Sequence, residues 1–117
     1  MIRGVPLSIH TAVEVFAAPA IMVAPFALGF GPAATGVAIV IGAVMLGLAL
    51  QADSPSRAIP LAAHAGFDYT LAAAAVLSGI TIGLASGEWQ AASFLVGVGA
   101  AMVALTASTR FSMARSV

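Results

Sequence analysis

The chain has no cysteine and no lysine, and only 7% of its 117 residues are charged. Without cysteine there are no disulfides, thiolate metal ligands or thiol nucleophiles, so chemistry is left to histidine, carboxylate and hydroxyl groups. Four arginines offset four acids to a formal net charge of zero. No basic surface remains to hold a phosphate backbone, which excludes nucleic acid as a partner. What fills the chain instead is apolar: 62% of residues are hydrophobic, against about 45–50% apolar and about 25% charged in soluble domains. This is the composition of a protein dissolved in lipid.

A helix needs about 20 mainly apolar residues to cross about 30 Å of hydrocarbon. Four runs qualify, roughly Val5 to Phe30, Ala34 to Leu50, Ile59 to Ala85 and Trp89 to Thr109. Strand alternation is nowhere sustained, and open sheet edges go unsatisfied in lipid. The expected fold is therefore all-α: a polytopic membrane protein of four transmembrane helices, arranged as two tandem helical hairpins. Gly29-Phe30-Gly31-Pro32 and Ser86-Gly87-Glu88-Trp89 read as tight turns, and Gln51 to Ser56 as the one polar linker. Ala17-Ala18-Pro19-Ala20 loosely imitates a signal-peptide cleavage site, but Glu14 interrupts the apolar core such a peptide needs. The first segment is read as mature structure.

Cations in short loops are retained on the cytoplasmic side. Arg3, Arg57, Arg110 and Arg115 all flank the termini or the central linker, whereas the opposite turns carry Glu88 and no cation. Both termini are thus expected in the cytoplasm, with Trp89 seated at the outer interface.

The polar residues recur. Arg3-x-x-Pro6-Leu7-x-x-His10-x-x-x-Glu14 returns as Arg57-x-x-Pro60-Leu61-x-x-His64-x-x-x-Asp68, and these are the only two histidines and two of the four acids. Further identities follow at the same offset of 54: Ala18 with Ala72, Ala20 with Ala74, Gly29 with Gly83. Gly42 with Gly97, Ala49 with Ala104 and Leu50 with Leu105 match at 55. The chain divides accordingly into a first two-span repeat, 1–52, and a second, 53–117. With an even number of spans per copy, the pseudo-twofold axis should run along the membrane normal. Helices in lipid associate through small residues, supplied by Ala38-x-x-x-Gly42, Ala43-x-x-x-Gly47, Gly79-x-x-x-Gly83 and Gly97 to Ala101. A tight bundle is the expected use of these glycines, a dimer face the lesser one.

The segment Ala24-Pro25-Phe26-Ala27-Leu28-Gly29-Phe30, preceded by the Pro-x-x-x-His-x-x-x-acid approach, resembles the Ser-Pro-Trp-x-x-Gly-Phe signature of the SPW-repeat family of small bacterial membrane proteins. The second copy keeps only Gly83 of that signature, with Ser78-Gly79-Ile80 in the leading place. The resemblance implies a pair of two-span repeats in a bacterial inner membrane, and it carries no activity.

At 100° per residue, Arg57, Pro60, His64 and Asp68 fall within about 80° of one another, as do their counterparts, so each copy has one polar stripe. Pro6 and Pro60 mark helix starts; the histidines then lie about 6 Å along the helix and the acids about 12 Å. An unpaired carboxylate there costs roughly 2.5–3.5 kcal/mol even on lenient scales, so each acid needs a partner, the nearest being the histidine one turn earlier. Three readings follow for His10, Glu14, His64 and Asp68. The first is a polar clasp organising the bundle of a structural or partner-binding protein, whose partners are the bilayer and a second copy or another membrane protein. The second is a metal or haem site, using both histidines and, for a divalent metal, both acids. The third is a proton-linked carrier or relay. Ser78, Thr81, Ser93 and Tyr69 have no base at a readable spacing, so no enzyme is expected. Pro19 and Pro25 read as tolerated kinks in the first span.

Overall fold

The computed structural model describes residues 4–52 and 60–111. Arg3, Arg57, Arg115 and most of the central linker, on which the orientation and the 52/53 division rest, lie outside the described residues. The rest is four helices: α1 (Leu7–Leu28), α2 (Pro32–Ala52), α3 (Leu61–Ser86) and α4 (Trp89–Ala107). Each falls within about two residues of its expected bounds and is long and apolar enough to cross a membrane. Their lengths of 19 to 26 residues correspond to about 29–39 Å of helix, enough for the hydrocarbon layer.

The ends of the helices follow from local chemistry. Pro6 and Pro60 sit at the N-caps in extended conformation, and their carbonyls accept the first turn's bonds from the His10 and His64 backbone amides. Proline has no N–H to leave unsatisfied there. At the other ends the chain turns through left-handed glycines, Gly29 with φ 72° and Gly87 with φ 74°, a conformation open to glycine at no steric cost. Gly87, not Gly83, thus plays the part of Gly29; Gly83 lies inside α3 beneath the Trp89 ring.

Burial is inverted relative to a soluble bundle. Phe16 is 80% exposed and Leu84 75%, while His10, His64 and Asp68 are at 0%. In water that arrangement would expose a continuous apolar surface; in lipid the large side chains face their own solvent and the bundle interior takes the small and polar ones. These four spans define a multi-pass membrane protein.

Within each hairpin the backbones meet at glycine. Gly42 stands against the Ala18 carbonyl and Met22, and Gly99 against the Ala72 carbonyl and Val76; a Cβ would come 2.8 Å and 2.7 Å from those oxygens. Ala18 and Ala72 are 54 residues apart, but Gly42 and Gly99 are 57. Met45 and Met102, and Ala49 and Thr106, are also 57 apart and all buried. This corrects the match at 55, because a Cβ on Gly97 meets nothing within 4 Å and Ala104 is exposed. The three-residue difference has a physical source. At 26 residues against 22, α3 is one turn longer than α1, while its turn, 87–88, is one residue shorter than 29–31. The expected seam at Ala43 and Gly47 is not formed either, since Ala43 is exposed and Gly47 has no neighbour.

Each hairpin packs closely, and the two hairpins join chiefly through α2 on α3, with α1 touching α4 far less. No Cα of α1 comes within 8 Å of one in α3, so these two parallel helices are diagonal partners across the bundle. Two ties close its ends. Val5 N–H donates to Ser108 O and Arg110 N–H to Val5 O, both at 2.9 Å, forming a one-residue parallel bridge beside the histidines. At the far end Gly31 N–H donates to Glu88 Oε1 at 2.8 Å, joining the two tight turns.

The seam geometry predicts a split among glycines. Gly42→Ala and Gly99→Ala are expected to lower the thermal midpoint in detergent, each costing about 1–3 kcal/mol as a backbone contact is forced apart. Gly47→Ala and Gly97→Ala are expected to leave it unchanged or raise it, by up to about 1 kcal/mol of helix propensity. Circular dichroism melting of the four variants tests both halves.

Candidate functional site

The polar stripes of α1 and α3 meet at the bundle's centre. His10 Nε2 lies 2.9 Å from Asp68 Oδ2 and 3.2 Å from Glu14 Oε1. His64 Nε2 lies 3.1 Å from Asp68 Oδ2 and 3.6 Å from Glu14 Oε1. Each acid therefore faces both histidines, and the hydrogen bond of His10 to a carboxylate crosses to Asp68 on the diagonal helix instead of staying with Glu14 one turn away. One ligand-type atom from each of the four residues lies within 4.8 Å of the others, and all four residues are buried.

Hydrogen positions at His10 follow from its partners. Thr109 Oγ1 donates its only proton to Leu105 O at 2.6 Å, so toward His10 Nδ1, 2.8 Å away, it acts as acceptor. Nδ1 thus carries a proton. The 2.9 Å contact between Nε2 and Asp68 Oδ2 then holds one further proton, on nitrogen or on oxygen. The rest of the cluster is less satisfied. His64 Nε2 and Glu14 Oε1 approach their neighbours in directions that make no hydrogen bond, and with Asp68 Oδ1 and His64 Nδ1 they have no hydrogen-bond partner among the described residues. At the separation of 57 that relates α2 to α4, the position of Thr109 is Ala52, which has no hydroxyl.

Thr109 and Phe111 are site residues that the sequence does not announce. Phe111 stands over both imidazoles, its ring 5.1 Å from His10 and 5.8 Å from His64. The strap formed by residues 108–111, held to Val5, therefore covers the cluster. Thr109 is 99 residues from His10, beyond the reach of any spacing rule; a hydroxyl near the end of an apolar span was its only trace.

On the loosely packed side, between α1 and α4, a half-open cleft of about 440 Å³ is walled by Ala17, Ile21, Phe94, Val98 and Met102, with Glu14 as its polar point. The signature residues lie elsewhere. Ala24, Pro25, Phe26 and Gly29 are at the far end of α1, about 22 Å of helix from His10, with Pro25 buried and Phe26 69% exposed.

The residues brought together suit a small cation and not a haem. The imidazoles stand edge to face, 5.9 Å between centroids, with both carboxylates against their Nε2 atoms, so no gap remains for a porphyrin plane between them.

Comparison with family models, with curated proteins and with solved structures finds no match in any of the three. Fold and site define the class on their own. It is a small four-span helical membrane protein with two histidines and two acids buried at one end of the bundle.

The hydroxyls at this end give matched tests. Thr109→Val unpairs His10 Nδ1 and is expected to cost about 1–3 kcal/mol. Thr106→Val removes a buried hydroxyl that has no partner among the described residues, and is expected to be neutral or stabilising. Melting of the two variants side by side decides it.

Proposed function

We propose that this is a non-catalytic structural or partner-binding protein of the bacterial inner membrane, in which His10, Glu14, His64 and Asp68 clasp two hairpins into one rigid bundle. The observation that carries this reading is that α1 and α3 make no close backbone approach, yet both acids meet both histidines at their centre. The clasp sets the register of one hairpin on the other, as polar residues do between helices in lipid. The hairpins are two copies of one unit, supported by the repeated stripe and the matched seams at Gly42 and Gly99. Membership of the SPW-repeat family belongs to the same reading and is supported by the resemblance at Ala24 to Phe30. Its partners are lipid and, on its exposed apolar faces, a second copy or another membrane protein.

Removing one member of a buried ionic group typically costs about 3–5 kcal/mol, because its partners are left unpaired. Metal-free His64→Ala and Asp68→Asn proteins are accordingly expected to melt well below the parent in detergent. Melting curves superimposable on the parent's would overturn the clasp.

Orientation is supported by the arginine distribution and is tested independently. Because the chain has no cysteine, single cysteines report cleanly. Gln90→Cys, at the Glu88 end, is expected to react with an impermeant maleimide in intact spheroplasts, and Gly4→Cys only after lysis. The reverse pattern would place the termini outside.

A further inference from the structure

We propose that His10, Glu14, His64 and Asp68 bind one divalent transition-metal ion, through two imidazole nitrogens and two carboxylate oxygens that converge on one point. The clasp reading is the foundation, and the ion adds a bonded centre to it.

Distances come first. Metal bonds of about 2.0–2.2 Å to nitrogen and oxygen put the corners of a tetrahedral site roughly 3.3–3.6 Å apart. The four nitrogen-to-oxygen edges here are 2.9, 3.1, 3.2 and 3.6 Å, and the remaining two are no longer than 4.8 Å. Nitrogen and oxygen alternate around the centre in a flattened ring, and closing it around an ion moves the ligand atoms by up to about an ångström.

The unsatisfied atoms are the second observation. Glu14 Oε1 and His64 Nε2 are buried, have no hydrogen-bond partner among the described residues, and are two of the four atoms that converge. Buried polar atoms are nearly always paired, and a cation between them gives both a partner at once.

Third, the surroundings of His10 are those of a ligand. A metal-bound imidazole generally donates its other N–H to an oxygen that fixes the ring and its tautomer. Thr109, itself held by Leu105 O, is such an oxygen for Nδ1, and Nε2 is the atom aimed at the centre.

Charge and ligand type narrow the ion. Two carboxylates and a divalent cation sum to zero, the condition under which charge is tolerated inside a bundle in lipid. Two imidazoles with two carboxylates and no sulfur favour zinc, iron(II), manganese or cobalt over soft copper(I). All four ligands come from the protein and Phe111 lies over the imidazoles, the closed arrangement of a structural site and not the open one of a water-activating centre.

The experiment titrates the full chain, purified in detergent and stripped with chelator, with zinc and with cobalt(II). One ion per chain is expected, with the intense visible absorption of tetrahedral cobalt and a raised melting temperature in zinc. His64→Ala and Asp68→Asn are expected to abolish binding. Should those variants fail to fold, Glu14→Gln and Thr109→Val carry the test; Thr109→Val is expected to keep its helicity while binding roughly 10- to 100-fold more weakly. A helical parent that takes up neither ion in large molar excess would overturn the site, as would binding indifferent to these substitutions. The clasp stands or falls separately, on the melting of the metal-free variants.

Discussion

Two carboxylates and two imidazoles inside an apolar bundle are the constraint to which the other polar features answer. Lipid supplies no water to solvate them, and each left alone costs several kcal/mol. The groups lie on diagonal helices whose Cα atoms stay more than 8 Å apart, so only side chains long enough to reach the centre can meet there. The glycine seams set that distance. With Gly42 and Gly99 letting each hairpin close to carbonyl contact, the stripes of α1 and α3 point at one another and not into lipid. Thr109 and Phe111 then complete the shell from the C-terminal strap, and the Val5 bridge holds the strap in place.

Similar halves do not make an even bundle. The α2–α3 seam is closed and the α1–α4 seam is parted by a cleft, although the two would be equivalent under an exact twofold. The additional turn in α3 and the shorter turn after it change how the second hairpin returns. The two acids feel the result: Asp68 hydrogen-bonds His10 at the closed heart of the cluster, whereas Glu14 lines the cleft and its Oε1 has no hydrogen-bond partner among the described residues. His10 has a hydroxyl partner and His64 has none among the described residues. Positions that match in sequence are thus chemically distinct in the fold.

The helices and the cluster's four members were legible in the sequence because both rest on local patterns. Span length follows from the bilayer, and a stripe repeating every third and fourth residue survives any tertiary arrangement. The hairpin register was not legible. Gly42 and Gly97 match by letter at 55, but packing selects Gly99, since burial depends on which face an added turn brings round. Thr109 and Phe111 were invisible for a related reason: their role arises where residues 108–111 meet Val5 and His10, and no spacing rule spans 99 residues. Glu88 was read only as an outer charge; its bond to Gly31 likewise depends on two turns brought together by the fold.

The one-sidedness of the polar groups bears on transport. A relay needs donors and acceptors continuing toward the far face, and several of the hydroxyls in that direction are bonded to carbonyls of their own helix. Thr70 donates to Gly66 O and Thr81 to Leu77 O, both at 2.8 Å, and Ser86 to Ile82 O at 2.7 Å. The carboxylate of Glu88 accepts from the Gly31 N–H at 2.8 Å. Among the described residues, the buried side chains between these and the cluster include Ala18, Ile21, Ala38, Met45, Ala72, Ala75 and Leu95, all apolar. A cluster confined to one end is better placed to hold than to conduct, and what it joins is α1 to α3, the helix pair in which no Cα atoms come within 8 Å of each other.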